Sequence, residues 1–103
     1  MAQNGQEKLV LTLPTDPALV RLTRLVTQHF LQHNGLGITQ ARRQGAIVEA
    51  HCLRLLRTRG RGDAGRVLVI VLTARAGSVE VTGRGPHGGP ARRILCVGRP
   101  VPA

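Results

Sequence analysis

Between Asp16 and Thr58 the chain carries two helix-forming segments in immediate succession, and nothing else in it constrains the fold as strongly. Asp16 can accept hydrogen bonds from free backbone N–H groups, and Pro17 suits the first helical position. Leu19, Leu22, Val26 and Phe30 recur at helical spacing with Leu25 beside them, which predicts one apolar face. Asn34-Gly35 predicts the stop. Thr39 then reads as the cap of a second helix running to about Thr58. Ala41, Gly45, Val48, Cys52, Leu55 and Leu56 fall within one stripe of its wheel. Arg43, Ala50, Arg54 and Arg57 fall on the opposite side.

Strands flank this pair. Leu9, Leu11 and Leu13 alternate with Val10 and Thr12, the period of a half-buried strand, and Pro14 ends it. Gly60 to Gly65 reads as a turn-rich charged connection, and Arg66 to Arg75 as a buried strand. Ala76-Gly77 can reverse the chain into a further strand from Ser78 to Thr82. A Gly/Pro-rich loop is expected from Gly83 to Pro90, then a last short strand from Arg93 to Val97. The order β-α-α-β-β-(β) predicts an α+β fold: a two-layer sandwich with two helices on one face of a mainly antiparallel sheet.

At 103 residues this is one domain, with 1–6 read as flexible and 89–103 unassigned apart from the short strand. Hydrophobic residues make up 42 %, which argues against wholesale disorder. Phe30 is the single aromatic, so the core must be aliphatic, and a partner copy could bury further apolar surface. Fifteen Lys and Arg against five Asp and Glu give a net charge of +10, which suits acidic or polyanionic partners. The longest apolar run, Val67 to Leu72, is too short to span a bilayer, and the first residues do not read as a signal, so a cytoplasmic protein is expected. Cys52 and Cys96 form no C-x-x-C, and both read as packing residues. Gly37 and Gly45 read as a turn and a close-packing position.

Taken in order, these segments resemble the anti-sigma-factor serine kinases of the GHKL superfamily, which have the Bergerat fold. Leu9-Val10-Leu11-Thr12-Leu13-Pro14-Thr15-Asp16-Pro17 is similar to that family's first strand and the entry to its first helix. Val48-Glu49-Ala50-His51-Cys52-Leu53-Arg54-Leu55-Leu56-Arg57 falls where the family carries its N-box, approximately V-E-E-A-C-T-N-V-I-R. Gly83-Arg84-Gly85-Pro86-His87-Gly88 falls where it carries the G1 box, Asp-x-Gly-x-Gly. The resemblance covers residues 8 to about 88.

What the resemblance implies is a degenerate, shortened member. The position of the family's general-base Glu is Ala50, and that of its magnesium-binding Asn is Arg54. Residues four apart share a helical face, so base and metal ligand could have converged on one nucleotide. Ala50 accepts no proton, and a guanidinium offers only donors. Glu49 cannot substitute, because one residue turns a helical side chain by about a hundred degrees. His51 offers no carboxylate either. Gly83 replaces the Asp that would bind the adenine amino group, while Gly85 and Pro86 match the box. About fifteen residues follow Gly88 where a lid and a G2 box are expected.

The reading is therefore a non-catalytic regulatory protein with a defunct ATP site, needing no cofactor or metal. By resemblance its partner is a sigma factor or a STAS-type antagonist, and a homodimer is a further expectation. Two alternatives stay open. Arg43, Arg54 and Arg57 could bind a phosphate or nucleotide without turnover. The run Arg54, Arg57, Arg59, Arg61 and Arg66 could track a nucleic-acid backbone, although no aromatic lies near to stack on bases. Of His29, His33, His51 and His87, the first two are four apart and share a helical face, but no third ligand of suitable spacing completes a metal site.

Overall fold

In the computed structural model, residues 6–57, 67–86 and 90–98 are described. They form β1 (Glu7–Pro14), α1 (Pro17–His33), α2 (Ile38–Arg57), β2 (Val67–Arg75), β3 (Ser78–Arg84) and β4 (Arg92–Gly98). The four strands make one antiparallel sheet in the order β1-β2-β3-β4. Both helices lie on one face, α1 over β1 and β2, α2 over β3 and β4. The fold is the α+β two-layer sandwich that the element order predicts.

Local chemistry sets the element ends. The N–H of Ala18 donates to Asp16 Oδ1 at 2.9 Å, and Pro17 stands in the first turn. At the other end Gly35 takes φ 97°, and buried Asn34 donates from Nδ2 to the Phe30 carbonyl at 2.8 Å. This turns the chain sharply enough for Leu36 to enter the core. Helix α2 begins at Ile38, not behind Thr39: the Ala41 N–H bonds the Gly37 carbonyl at 2.9 Å, and Thr39 lies exposed inside the first turn. Gly77, at φ 89°, makes the two-residue reversal between Arg75 and Ser78.

The core is aliphatic, as the composition requires. Leu68, Ile70, Leu72, Ala74, Val79 and Val81 point from the sheet to Val20, Leu31, Val48 and Cys52 on the helices, all fully buried. The stripe of α2 agrees with its wheel, with Ala41, Gly45, Val48 and Cys52 buried and Arg43, Ala50 and Arg54 exposed. The buried face of α1 differs from expectation. Val20, Thr23, Thr27, Phe30 and Leu31 are buried, while Leu22 and Leu25 are exposed. The reason is that α1 packs against α2 as well as the sheet, which turns its two threonines inward. Thr23 satisfies itself by donating to the Val20 carbonyl at 2.6 Å. Thr27 Oγ1 is buried with no hydrogen-bond partner among the described residues.

Three further expectations are corrected. Gly83 and Arg84 extend β3 and are not loop, and β4 reaches from Arg92 to Gly98 with a register shift opposite Val81/Thr82. That bulge takes up Ile94, which packs against Gly83. Cys96 is exposed rather than packed; only Cys52 belongs to the core.

Candidate functional site

The positions read from the sequence as a nucleotide site, Ala50, Arg54, Gly83 and Gly85, lie on α2 and at the end of β3, which the topology makes neighbours. Ala50 and Arg54 are both exposed, one turn apart on the outward side of α2. Glu49, the carboxylate nearest to Ala50 in sequence, is turned the other way and meets Arg24 of α1 at 3.4 Å. The hundred-degree rotation thus carries the available carboxylate to the helix–helix seam.

On β3, Gly83 is buried on the helix-facing side of the sheet, opposite Ile70. A Cβ there would stand 2.8 Å from Ile94 Cδ1 and 3.1 Å from Ile70 Cδ1. A carboxylate at this position would enter space that two isoleucines fill. Gly85 faces Leu55, and a Cβ on it would make only ordinary contacts of 3.6 Å. His87 and Gly88 lie outside the described residues.

Of the three arginines read as a possible anion site, Arg43 and Arg54 lie exposed on α2. Arg43 and Arg54 are eleven residues apart on one helix, roughly 16 Å along its axis at about 1.5 Å per residue, too far to share a phosphate. The Arg57 side chain lies outside the described residues, as do Arg59, Arg61 and Arg66 of the basic run. Charge acts on a different group, His51. His51 is half-buried where α2 meets β4, and its pKa is held below the ordinary 6.5 by burial first, then by the charges of Arg54 and Arg92. Arg92 escaped the sequence reading because the bulge at Ile94 sets which residue reaches α2; a spacing rule for a regular strand does not anticipate it.

A concavity lies along the β1 edge of the sheet. Leu9, Leu25, Val26, His29, Phe30 and His33 line an open apolar groove of about 480 Å³ between β1 and α1. His29 and His33 do share a face there. His33 Nε2 lies 3.6 Å from Glu7 Oε2, both well exposed, and screening leaves such a pair little strength. No group of three or more His, Cys, Asp or Glu among the described residues could hold a metal ion. No described helix is long and apolar enough to cross a membrane.

Set against known proteins, the chain matches no family model and no curated relative.

Proposed function

We propose that this chain is a non-catalytic regulatory domain that acts by binding another protein, with a site of anti-sigma-factor-kinase type that has lost its turnover chemistry. The observation that carries the reading is the outward side of α2. Ala50 and Arg54 stand there together in place of a proton acceptor and a cation ligand, and Glu49 is engaged with Arg24. The isoleucines beside Gly83 support it further, since their side-chain ends would have to shift to admit an adenine-binding carboxylate.

The partner is a protein with an acidic surface, by resemblance a sigma factor or a STAS-type antagonist. Arg42, Arg43 and Arg54 on the exposed side of α2 give that encounter its electrostatic drive. The test is affinity capture on immobilised chain after nuclease treatment, beside an ATP-turnover assay with magnesium. The expected result is a nuclease-resistant protein partner and no turnover. Chelator-sensitive hydrolysis by clean recombinant material would overturn the reading, and so would capture that vanishes with nuclease.

The His51–Arg54–Arg92 neighbourhood favours a second reading, a phosphate or nucleotide binder without turnover. Calorimetric titration with ATP and ADP, with and without magnesium, separates the two. Magnesium-independent heat lost in Arg92→Ala selects the binder, and no heat leaves the protein-docking role.

A further inference from the structure

Strand β2 is apolar on both sides, yet the described helices cover only one. Val67 to Leu72 is an unbroken apolar run, the pattern of a strand buried on both faces. The helices account for half of it: Leu68, Ile70 and Leu72 are fully buried in the core they share with α1 and α2. Alternation turns Val67, Val69 and Val71 to the other face, where no described helix or strand lies over them. Val67 is 40 % exposed, and Val10, which pairs with Val71 from β1, is 56 % exposed. An antiparallel sheet with one solvated face ordinarily places polar residues outward. The outward side of β2 does not.

A basic margin borders these valines. The strand registers put Lys8 of β1, Arg75 of β2, Arg84 of β3 and Arg93 of β4 on the same face as Val71. Among the described residues its one carboxylate is Glu80, which meets Arg93 at 3.2 Å. Thr12 and Thr82 flank the valine row on β1 and β3, and each adds a methyl group beside its hydroxyl. The face is therefore largely apolar along its middle and positive at its borders.

Shape and charge together select the occupant. Val67 to Thr73 spans about 20 Å along β2, the length of an α-helix of about fourteen residues. From β1 across β2 to β3 is about 10 Å, the width of one helix. Valine is short and arginine long, so a flat bilayer surface would rest on the border and leave the valines uncovered. A nucleic acid would meet the arginines but gain nothing from the valines, since no aromatic stands here to stack on a base. A second copy of this chain would bring like charge to like. A helix with one apolar side and acidic flanks uses both features of the face.

We infer that the outward face of the sheet docks an amphipathic helix of a partner protein, apolar on one side and flanked by Asp or Glu. The helix lies along β2 with its apolar side on Val67, Val69, Val71 and Val10. Its carboxylates face Arg84 and Arg93 along one flank and Lys8 along the other. The sheet then has a helical layer on each side, which is the environment that the apolar run of β2 matches. This face lies across the sheet from α2, so the inference is independent of what the exposed side of α2 binds.

The experiment uses the full chain and a synthetic peptide of about 18 residues, roughly five helical turns, with leucine along one side and glutamate on both flanks. Its controls are a scrambled peptide of the same composition and one with lysine in place of glutamate. Fluorescence anisotropy of the labelled peptide measures affinity, and methyl NMR of the valines locates the contact. The acidic helix is expected to bind at micromolar concentration, at least tenfold more tightly than either control, and to shift the methyls of Val10, Val69 and Val71. Val10→Glu and Arg84→Glu alter exposed positions, so each should fold, which far-UV circular dichroism checks, and each is expected to weaken binding at least tenfold. Arg21→Glu, exposed on α1, makes the same change of charge and is expected to weaken it less than twofold. Binding no tighter than the controls overturns the inference, and so does an equal loss in Arg21→Glu and Arg84→Glu. Shifts confined to α2 overturn it while leaving the proposed role of α2 intact. Tighter binding of an oligonucleotide or of phosphatidylglycerol vesicles to the same valines would assign the face to that occupant instead.

Discussion

Gly45 lies where α2 comes close to the backbone of α1, and replacing it with alanine sets two effects of known size against each other. A Cβ at this position would lie 2.8 Å from the backbone oxygen of Arg24 and 3.2 Å from Arg24 Cγ. Ordinary contact begins near ~3.5 Å, so α1 and α2 would have to part by roughly 0.5 Å. A gap of that size forfeits about a quarter of the dispersion attraction across the seam, and overpacking of this kind costs about 1–3 kcal/mol. In the other direction, alanine in a helix interior is better than glycine by about 0.8–1 kcal/mol. The obstacle is backbone and cannot swing aside, so the net should be a loss of up to about 2 kcal/mol. For a domain of this size that lowers Tm by roughly 4–8 °C per kcal/mol.

The propensity term can be measured in the same helix. Ala50 is exposed on α2, so Ala50→Gly should cost about 1 kcal/mol with no packing change. The assay is urea denaturation followed by far-UV circular dichroism, since the chain has no tryptophan or tyrosine to report fluorescence. If Gly45→Ala proves more stable than wild type by as much as Ala50→Gly loses, the helices separate freely and the close approach contributes nothing.

The remaining predictions concern the same seam. Thr27→Val keeps the side-chain shape and removes a buried hydroxyl without a partner, so it should stabilise by about 1 kcal/mol in the same assay; a destabilised variant would show that the hydroxyl is satisfied after all. Burial pushes the Cys52 thiol from 9.0 to about 11. Because the folded value is the higher one, the associated stability is whole below pH 9 and falls by roughly 2–3 kcal/mol as pH rises towards 11. Cys52→Ala should lack that slope, and a thiol reagent should label Cys96 at once but Cys52 only on unfolding. Equal native labelling rates would contradict the burial.

Much of the fold was legible because punctuation residues fix it locally: Asp16-Pro17 and Asn34-Gly35 bound α1, and Gly77 turns the hairpin. The face of α1 was not legible, since hydrophobic spacing favours Leu22 and Leu25 while helix–helix packing accepts Thr23 and Thr27 through their methyl groups. The site was legible on α2, where one element and one period decide which way Glu49, Ala50 and Arg54 point. It was not legible where two elements meet. The bulge at Ile94 resets the phase of β4 so that Arg92, opposite Gly83, falls on the side where its charge acts on His51, and neither the bulge nor the packing against Gly83 leaves a mark on the local pattern.

Pairing of Leu9 with Leu72 also has a consequence in time. On a ribosome adding about 5–20 residues per second, β1 emerges several seconds before β2 has been synthesised. During that interval Leu9 to Leu13 has no strand of its own chain to join. The two helices, whose hydrogen bonds are local, can close at once. A newly made chain therefore waits with its stickiest segment uncovered, and a chaperone that holds extended apolar peptides would meet it first there.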